Sequence, residues 1–313
     1  MTAEKTKLGI TRFFSGLFKN LGKILLTNLL FAVPLVIFSG LFYWINIFTG
    51  ANLWFIALLP IIFVFPFFSG VTLITRNIVR GDEENPVFMN FVKGFKENFL
   101  MFLIHGIVLY CAIFFCYSSI TLYWQLGVEN GIFFIPFGIV VIIAVVILFM
   151  FYNIPVMTVT FDLSLKNIYK NSFLMSFGEL KNNFFSTLGL FLLFIFCATI
   201  FLASPNAIVL VIVSLTIAVI LVPSLASYIM NFYVYKDMEN LLVNKSEMSD
   251  DLKRQIENQK KGLEAKKANE KPDFSTLDLD EKKDGEEYLF FNGKMIKRKV
   301  LIEMKKKQEN SNE

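Results

Sequence analysis

The sequence predicts an all-α membrane protein of six transmembrane helices, arranged as three repeated helical hairpins, each preceded by an amphipathic interfacial helix. Three observations carry that prediction. The 313-residue chain is 55% hydrophobic and 16% aromatic, with a positive mean hydropathy, a composition that a water-soluble domain of this length does not keep in solution. Six stretches, near 24–44, 53–75, 99–120, 133–157, 184–203 and 207–233, are apolar over the roughly 20 residues that a helix needs to cross about 30 Å of hydrocarbon. From Met1 to Tyr235 every Lys and Arg falls in one of three segments, 5–23, 76–96 and 166–181, and the alternate connections near Phe48, Gln125 and Ser204 carry none. Basic loops resist translocation, so this bias places both ends of the chain in the cytoplasm.

Helices are required because the apolar runs lack the alternation of a barrel strand, and backbone amides in lipid must be satisfied within the segment. The first span is too long for a signal-peptide core and has no small-residue cleavage pattern, so it reads as a retained anchor. The first span of each hairpin follows a short amphipathic segment that ends in Asn plus Leu or Phe: Asn20 with Leu21, Asn98 with Phe99, and Asn183 with Phe184. Behind each Asn, apolar residues recur at offsets of three, six and ten: Leu17, Phe95 and Leu180; Phe14, Val92 and Phe177; Ile10, Phe88 and Phe173. Those offsets form one helical face, the pattern of an interfacial helix.

Residues 1–235 therefore form the membrane domain and 236–313 a charged tail, with about 18 basic and about 18 acidic residues and a cytoplasmic location by the charge bias. Residues 249–268 can form a helix capped by Ser249 or Asp250, and 271–284 reads as a linker. At 288–297 the tail carries a two-residue hairpin signal, Tyr288 to Phe291, Asn292-Gly293, Lys294 to Lys297. A type I′ turn there pairs Phe290 with Met295 and Leu289 with Ile296. A lone hairpin is marginal in water, so it is expected to pack on a following helix, on the bundle or on a partner. The basic residues Lys297 to Lys299 and Lys305 to Lys307 suit anionic lipid headgroups.

The candidate functional positions are few. His105 is the only histidine and lies inside the third span, where it reads either as a proton-transfer or ligand group or as a neutral imidazole bonded to a neighbouring helix. Asn28 reads as interhelical glue. Pro66, Pro155 and Pro223 sit in the second helix of each hairpin, and they either kink it or mark unwound segments lining a cavity. Asp162 is placed to cap the helix that follows, Glu129 is a lone outer-loop charge, and Asp82 to Glu84 balance Arg76 and Arg80. Cys111, Cys116 and Cys197 fall within spans and imply no disulfide framework. One histidine excludes a multi-histidine metal site, and neither Gly22-Lys23 nor Gly293-Lys294 is followed by Ser or Thr, so no phosphate-cradling loop is present. No metal or cofactor is expected. Nucleic-acid binding is not expected either, because the net charge of +4 resides where headgroups explain it.

The run FSGVTLITRNIVRGDEENPVFMNFVKGFKENF, residues 68–99, resembles the YesL family of bacterial integral membrane proteins. It shares a span ending in small residues, a basic helix end, an Arg-Gly-acidic turn and an amphipathic stretch closing in Lys-Glu-Asn-Phe. The opening TRFFSGLFKNLGKILLTNLLF is similar to that family's start. The resemblance implies an association with carbohydrate uptake and utilisation in Gram-positive bacteria, and supplies no catalytic or binding residues. Three classes remain open: a non-enzymatic accessory or regulatory component of a carbohydrate-uptake system, partnered by its transport components; a small-solute transporter with its site at the proline-bearing helices; and a membrane-embedded enzyme. The enzyme would need a nucleophile and base at membrane depth, where the sequence offers His105 with scattered Ser and Thr.

Overall fold

The computed structural model describes residues 9–50, 53–82, 84, 86–202, 209, 221–242, 274, 277, 279–280, 285, 287–291 and 294–310. In chain order the helices are α1 (Gly9–Lys19), α2 (Leu21–Phe48), α3 (Trp54–Leu58), α4 (Pro60–Arg80), α5 (Val87–Glu129), α6 (Phe134–Thr160), α7 (Leu165–Gly178), α8 (Leu180–Leu202) and α9 (Val222–Leu242). Strands β1 (Tyr288–Phe291) and β2 (Lys294–Lys297) and helix α10 (Arg298–Asn310) follow.

Among the described residues, five helical stretches are long and apolar enough to cross a membrane: Leu21–Phe48, Trp54–Arg80, Val87–Glu129, Gly131–Thr160 and Leu180–Ile200. Their outward faces carry large exposed apolar side chains such as Ile37, Phe115, Ile142 and Phe194, a surface suited to lipid and not to water. About half of the expected sixth span, 207–233, lies outside the described residues, as do the expected helix at 249–268, most of the linker at 271–284 and the Asn292-Gly293 turn.

α4 is the central helix and packs on α2, α5, α6 and α9. Ile24, Phe31, Val71, Ile74, Phe91 and Tyr228 fill the interface of α2, α4, α5 and α9. The closest crossing is α4 on α5, where glycines let the backbones touch: a Cβ at Gly94 would lie 2.8 Å from the Gly70 Cα, and one at Gly70 would lie 2.6 Å from the Phe91 carbonyl oxygen. In lipid no hydrophobic force pulls helices together, so this small-residue contact maximises dispersion between them.

The amphipathic segments sit as separate helices before α2 and α8, but the second is continuous with its span. α5 runs unbroken for 43 residues, about 65 Å at 1.5 Å per residue, roughly twice the hydrocarbon thickness. Neither Asn98 nor its neighbours interrupt a helix: the Asn98 side chain donates to the Gly94 carbonyl at 3.0 Å, one turn back. Asn20 makes the same bond to Gly16 at 3.0 Å. Asn183 reaches further, to the carbonyls of Met175 at 3.0 Å and Ser176 at 3.3 Å. α1 splits its apolar stripe, packing Phe13 and Leu17 on the bundle and leaving Ile10, Phe14 and Phe18 exposed. The Tyr228 hydroxyl donates to the Phe13 carbonyl at 2.9 Å and ties α1 to α9.

β1 and β2 pair antiparallel, with Phe290 opposite Met295 and Leu289 opposite Ile296. Alternation splits the hairpin into two faces. Leu289, Phe291 and Ile296 form a small core with Leu277 and Leu301, while Phe290 and Met295 join the cluster of Met157, Phe161, Ile168 and Val234 at the end of the bundle.

Candidate functional site: buried polar contacts between the helices

His105 is fully buried in α5, one residue before Gly106, whose Cα lies close to Ile62 and Phe65 of α4. Pro66 has no N–H to give to the Ile62 carbonyl, its partner one turn back. A Cβ at Gly106 would lie 3.1 Å from that carbonyl oxygen, so α5 packs directly on the proline site. The His105 ring spans two further helices: Nε2 is 3.0 Å from the Thr158 hydroxyl of α6 and Nδ1 is 3.0 Å from the Tyr169 hydroxyl of α7. Because the Thr158 hydroxyl donates its own hydrogen to the Ile154 carbonyl at 2.7 Å, it accepts from His105. The ring therefore carries its proton on Nε2, and Nδ1 accepts from Tyr169. The chain of donors runs from Tyr169 through His105 and Thr158 to Ile154.

Tyr169 lies on α7, outside the spans, and burial pushes its hydroxyl up to about 12. The folded state then keeps a proton that the unfolded state loses near its ordinary value of about 10. Its contribution is complete below pH 10 and is lost as pH rises from 10 towards 12. Thermal unfolding in detergent should fall across that window in the wild type, and Tyr169→Phe should flatten the fall while lowering stability at pH 7 through the lost bond to His105.

Asn28 is fully buried in α2 and bridges the start of α9. Its Nδ2 donates to the Leu221 carbonyl at 3.1 Å, and its Oδ1 accepts from the Ser224 N–H at 2.8 Å. It therefore caps a helix from a different helix. Pro223 lies in the first described turn of α9, where a missing N–H costs little. α4 and α6 run uninterrupted through Pro66 and Pro155, so neither proline opens an unwound segment. The Ser69 hydroxyl donates to the Pro66 carbonyl, and such local bonds let a helix carry a proline through a membrane. α2 carries a further interior proline, Pro34.

Two more polar contacts were not signalled by any single residue in the sequence. Between α4 and α9, the Thr75 and Ser227 hydroxyls lie 2.7 Å apart and Asn231 Nδ2 donates to Thr75 at 3.0 Å. Between α6 and α8, Asn153 donates to the Asn183 side-chain oxygen at 3.3 Å, and the Tyr152 and Thr187 hydroxyls are 3.1 Å apart. The signal for both was the recurrence of Ser, Thr and Asn at helical spacing inside apolar runs. The predicted positions thus form two groups: His105 with the helices of Pro66 and Pro155, and Asn28 with Pro223.

At the basic end of the bundle, Arg80 Nε lies 3.2 Å from Asp82 Oδ1 in a charge contact, and its guanidinium sits 4.4 Å above the Phe290 ring. Gly81 closes α4 in the left-handed region, φ 86°, a conformation glycine adopts without strain. Asp162 caps no helix: its side chain is exposed, Ser164 precedes α7 with no side-chain cap, and the Asp162 N–H donates to the Met295 carbonyl at 3.3 Å. The extended backbone at 161–164 puts that N–H in strand pairing instead. Glu129 is exposed at the far end of α5.

A protein-family model described as a protein of unknown function, DUF624, matches residues 24–120. The matched stretch contains Asn28, Pro66, the Gly70–Gly94 crossing, Arg80 and His105. No curated protein and no solved structure matches the chain.

Proposed function

We propose that the chain is a non-enzymatic, multi-pass component of the bacterial cytoplasmic membrane, accessory or regulatory to a carbohydrate-uptake system. Its six spans form three repeated hairpins, both ends face the cytoplasm, and the basic clusters of the otherwise near-neutral tail meet anionic headgroups while the tail meets a transport partner. The observation that carries this reading is how the polar groups of the spans are used. His105, Asn28, Thr75, Asn153 and Asn231 bond from helix to helix, and among the described residues no buried one is Asp or Glu, the groups that ion or proton coupling ordinarily recruits. Asn20, Asn98 and Asn183 each turn a side-chain amide back onto a carbonyl of the preceding amphipathic segment, which supports the threefold repeat. The charge bias supports the orientation, and the likeness to the YesL family supports the link to uptake.

The transporter reading draws on a separate observation, the placement of His105 between the proline-bearing α4 and α6. Two measurements separate the readings. Capture of the tagged full chain from lipid nanodiscs should recover subunits of a carbohydrate transporter, and recovery of none counts against the proposal. Sugar uptake by the purified chain alone in liposomes, abolished by His105→Ala at equal expression, would favour the transporter.

A further inference from the structure

The chain between α6 and α7 is built like a strand. At 161–164 the side chains alternate: Phe161 and Leu163 are buried, Asp162 and Ser164 exposed. Phe161 forms a parallel bridge with Met295, and the Asp162 N–H donates to the Met295 carbonyl at 3.3 Å. β2 is therefore flanked on one edge by β1 and on the other by this segment. Strand addition of this kind supplies affinity through main-chain bonds and specificity through alternate side chains. On the docking side β2 presents Met295, and Phe290, opposite it on β1, lies with its ring under the Arg80 guanidinium at 4.4 Å.

We propose that residues 161–164 and Arg80 form a strand-docking site, that its occupant is this chain's own C-terminal hairpin, and that the hairpin leaves the site as a folded unit. The division of the hairpin's two faces points to this. One face, Leu289, Phe291 and Ile296, is used by the module's own core with Leu277 and Leu301. The module is closed by an ion pair between buried Arg298 and Glu287, and by the Arg298 N–H donating to the Glu287 carbonyl at 2.8 Å and the Lys299 N–H to the Gly285 carbonyl at 3.1 Å. None of those contacts involves the bundle. The docking face, Tyr288, Phe290 and Met295, is separate. Departure of the hairpin would cost the seam and leave the module's core intact, and it would expose one strand edge and the stacking face of the Arg80 guanidinium, its Asp82 contact kept, to an extended, aromatic-bearing segment of a partner. Met295 and Phe290 share a cluster with Ile168, next to Tyr169, so occupancy of the site is also transmitted to α7.

Amide hydrogen exchange on the full chain in nanodiscs tests the proposal with two variants, Phe290→Ala and Arg80→Leu. Each should speed exchange in peptides containing Asp162 at least tenfold, while peptides spanning 288–297 keep the protection of their own ladder. Arg80→Leu leaves the hairpin sequence untouched, so it carries the test if Phe290→Ala does not fold. If both regions accelerate together, the module is not a separable unit; if the Asp162 peptides do not accelerate, this seam does not hold it. Either result overturns the proposal.

Discussion

Gly94→Leu should abolish the folded monomer, and Gly94→Ala should lower its stability by several kcal/mol. Overpacking inside a protein commonly costs about 1–3 kcal/mol, when neighbouring side chains can yield. At Gly94 nothing can yield, because the added Cβ would meet main chain: Gly70 Cα at 2.8 Å, and Gly70 N and the Ser69 carbonyl oxygen at 3.0 Å. Relief requires α5 to move off α4, which also opens the buried contacts of Phe91 and Phe102 and the Gly106 approach that places His105 beside α6. The measurement is the monodisperse fraction after detergent extraction, followed by a thermal midpoint. Gly22→Ala and Gly138→Ala are the controls. Both are helical glycines with nothing within 4 Å of an added Cβ, and each should be neutral or stabilising by up to about 1 kcal/mol.

The glycine crossing shows what was legible in the sequence and what was not. Five apolar runs become five long helices because length and hydropathy are local properties, and lipid leaves the backbone no alternative. The hairpin's pairs follow from Asn292-Gly293 because a two-residue turn fixes register. Crossing partners have no such local mark. Gly70 and Gly94 stand 24 residues apart, with no fixed spacing that announces their contact. His105 was recognisable as an expensive group needing a partner, but Thr158 and Tyr169 are 53 and 64 residues away, and neither is unusual where it stands. The continuity of α5 was hidden for the opposite reason: the change from amphipathic to wholly apolar composition at Asn98 looks like a boundary, yet a change of environment does not change φ and ψ. Asp162 looked like a cap because carboxylates often cap helices, whereas its neighbours Phe161 and Leu163 were the informative residues, alternating as a strand does. The prolines were legible as positions and not as events, since α4 and α6 continue through Pro66 and Pro155 and only Pro223 stands near a helix start.

Asn28→Leu should destabilise the protein by about 1–3 kcal/mol, and Pro223→Ala by less than about 1 kcal/mol. Asn28 accepts from the Ser224 N–H and adds a second bond to the Leu221 carbonyl, which also accepts from the Leu225 N–H at 3.2 Å, in a site where Asn28 itself has no exposed surface; its loss therefore leaves the Ser224 N–H as the orphaned group. Leucine has the same branched skeleton and heavy-atom count as asparagine but no polar atoms, so the loss is dominated by the polar group left behind. Each buried donor or acceptor without a partner costs about 1–3 kcal/mol, and no water reaches them inside hydrocarbon to reduce that cost. Pro223 occupies the first described turn of α9, and the start of a helix tolerates proline, so returning an N–H with alanine changes little. The check is a pair of thermal or denaturant midpoints in nanodiscs, with amide exchange at Ser224 as the local readout. If Pro223→Ala proves the more damaging of the two, the proline and not Asn28 shapes the start of α9. If Asn28→Leu is silent, helix α9 does not depend on a cap supplied by α2.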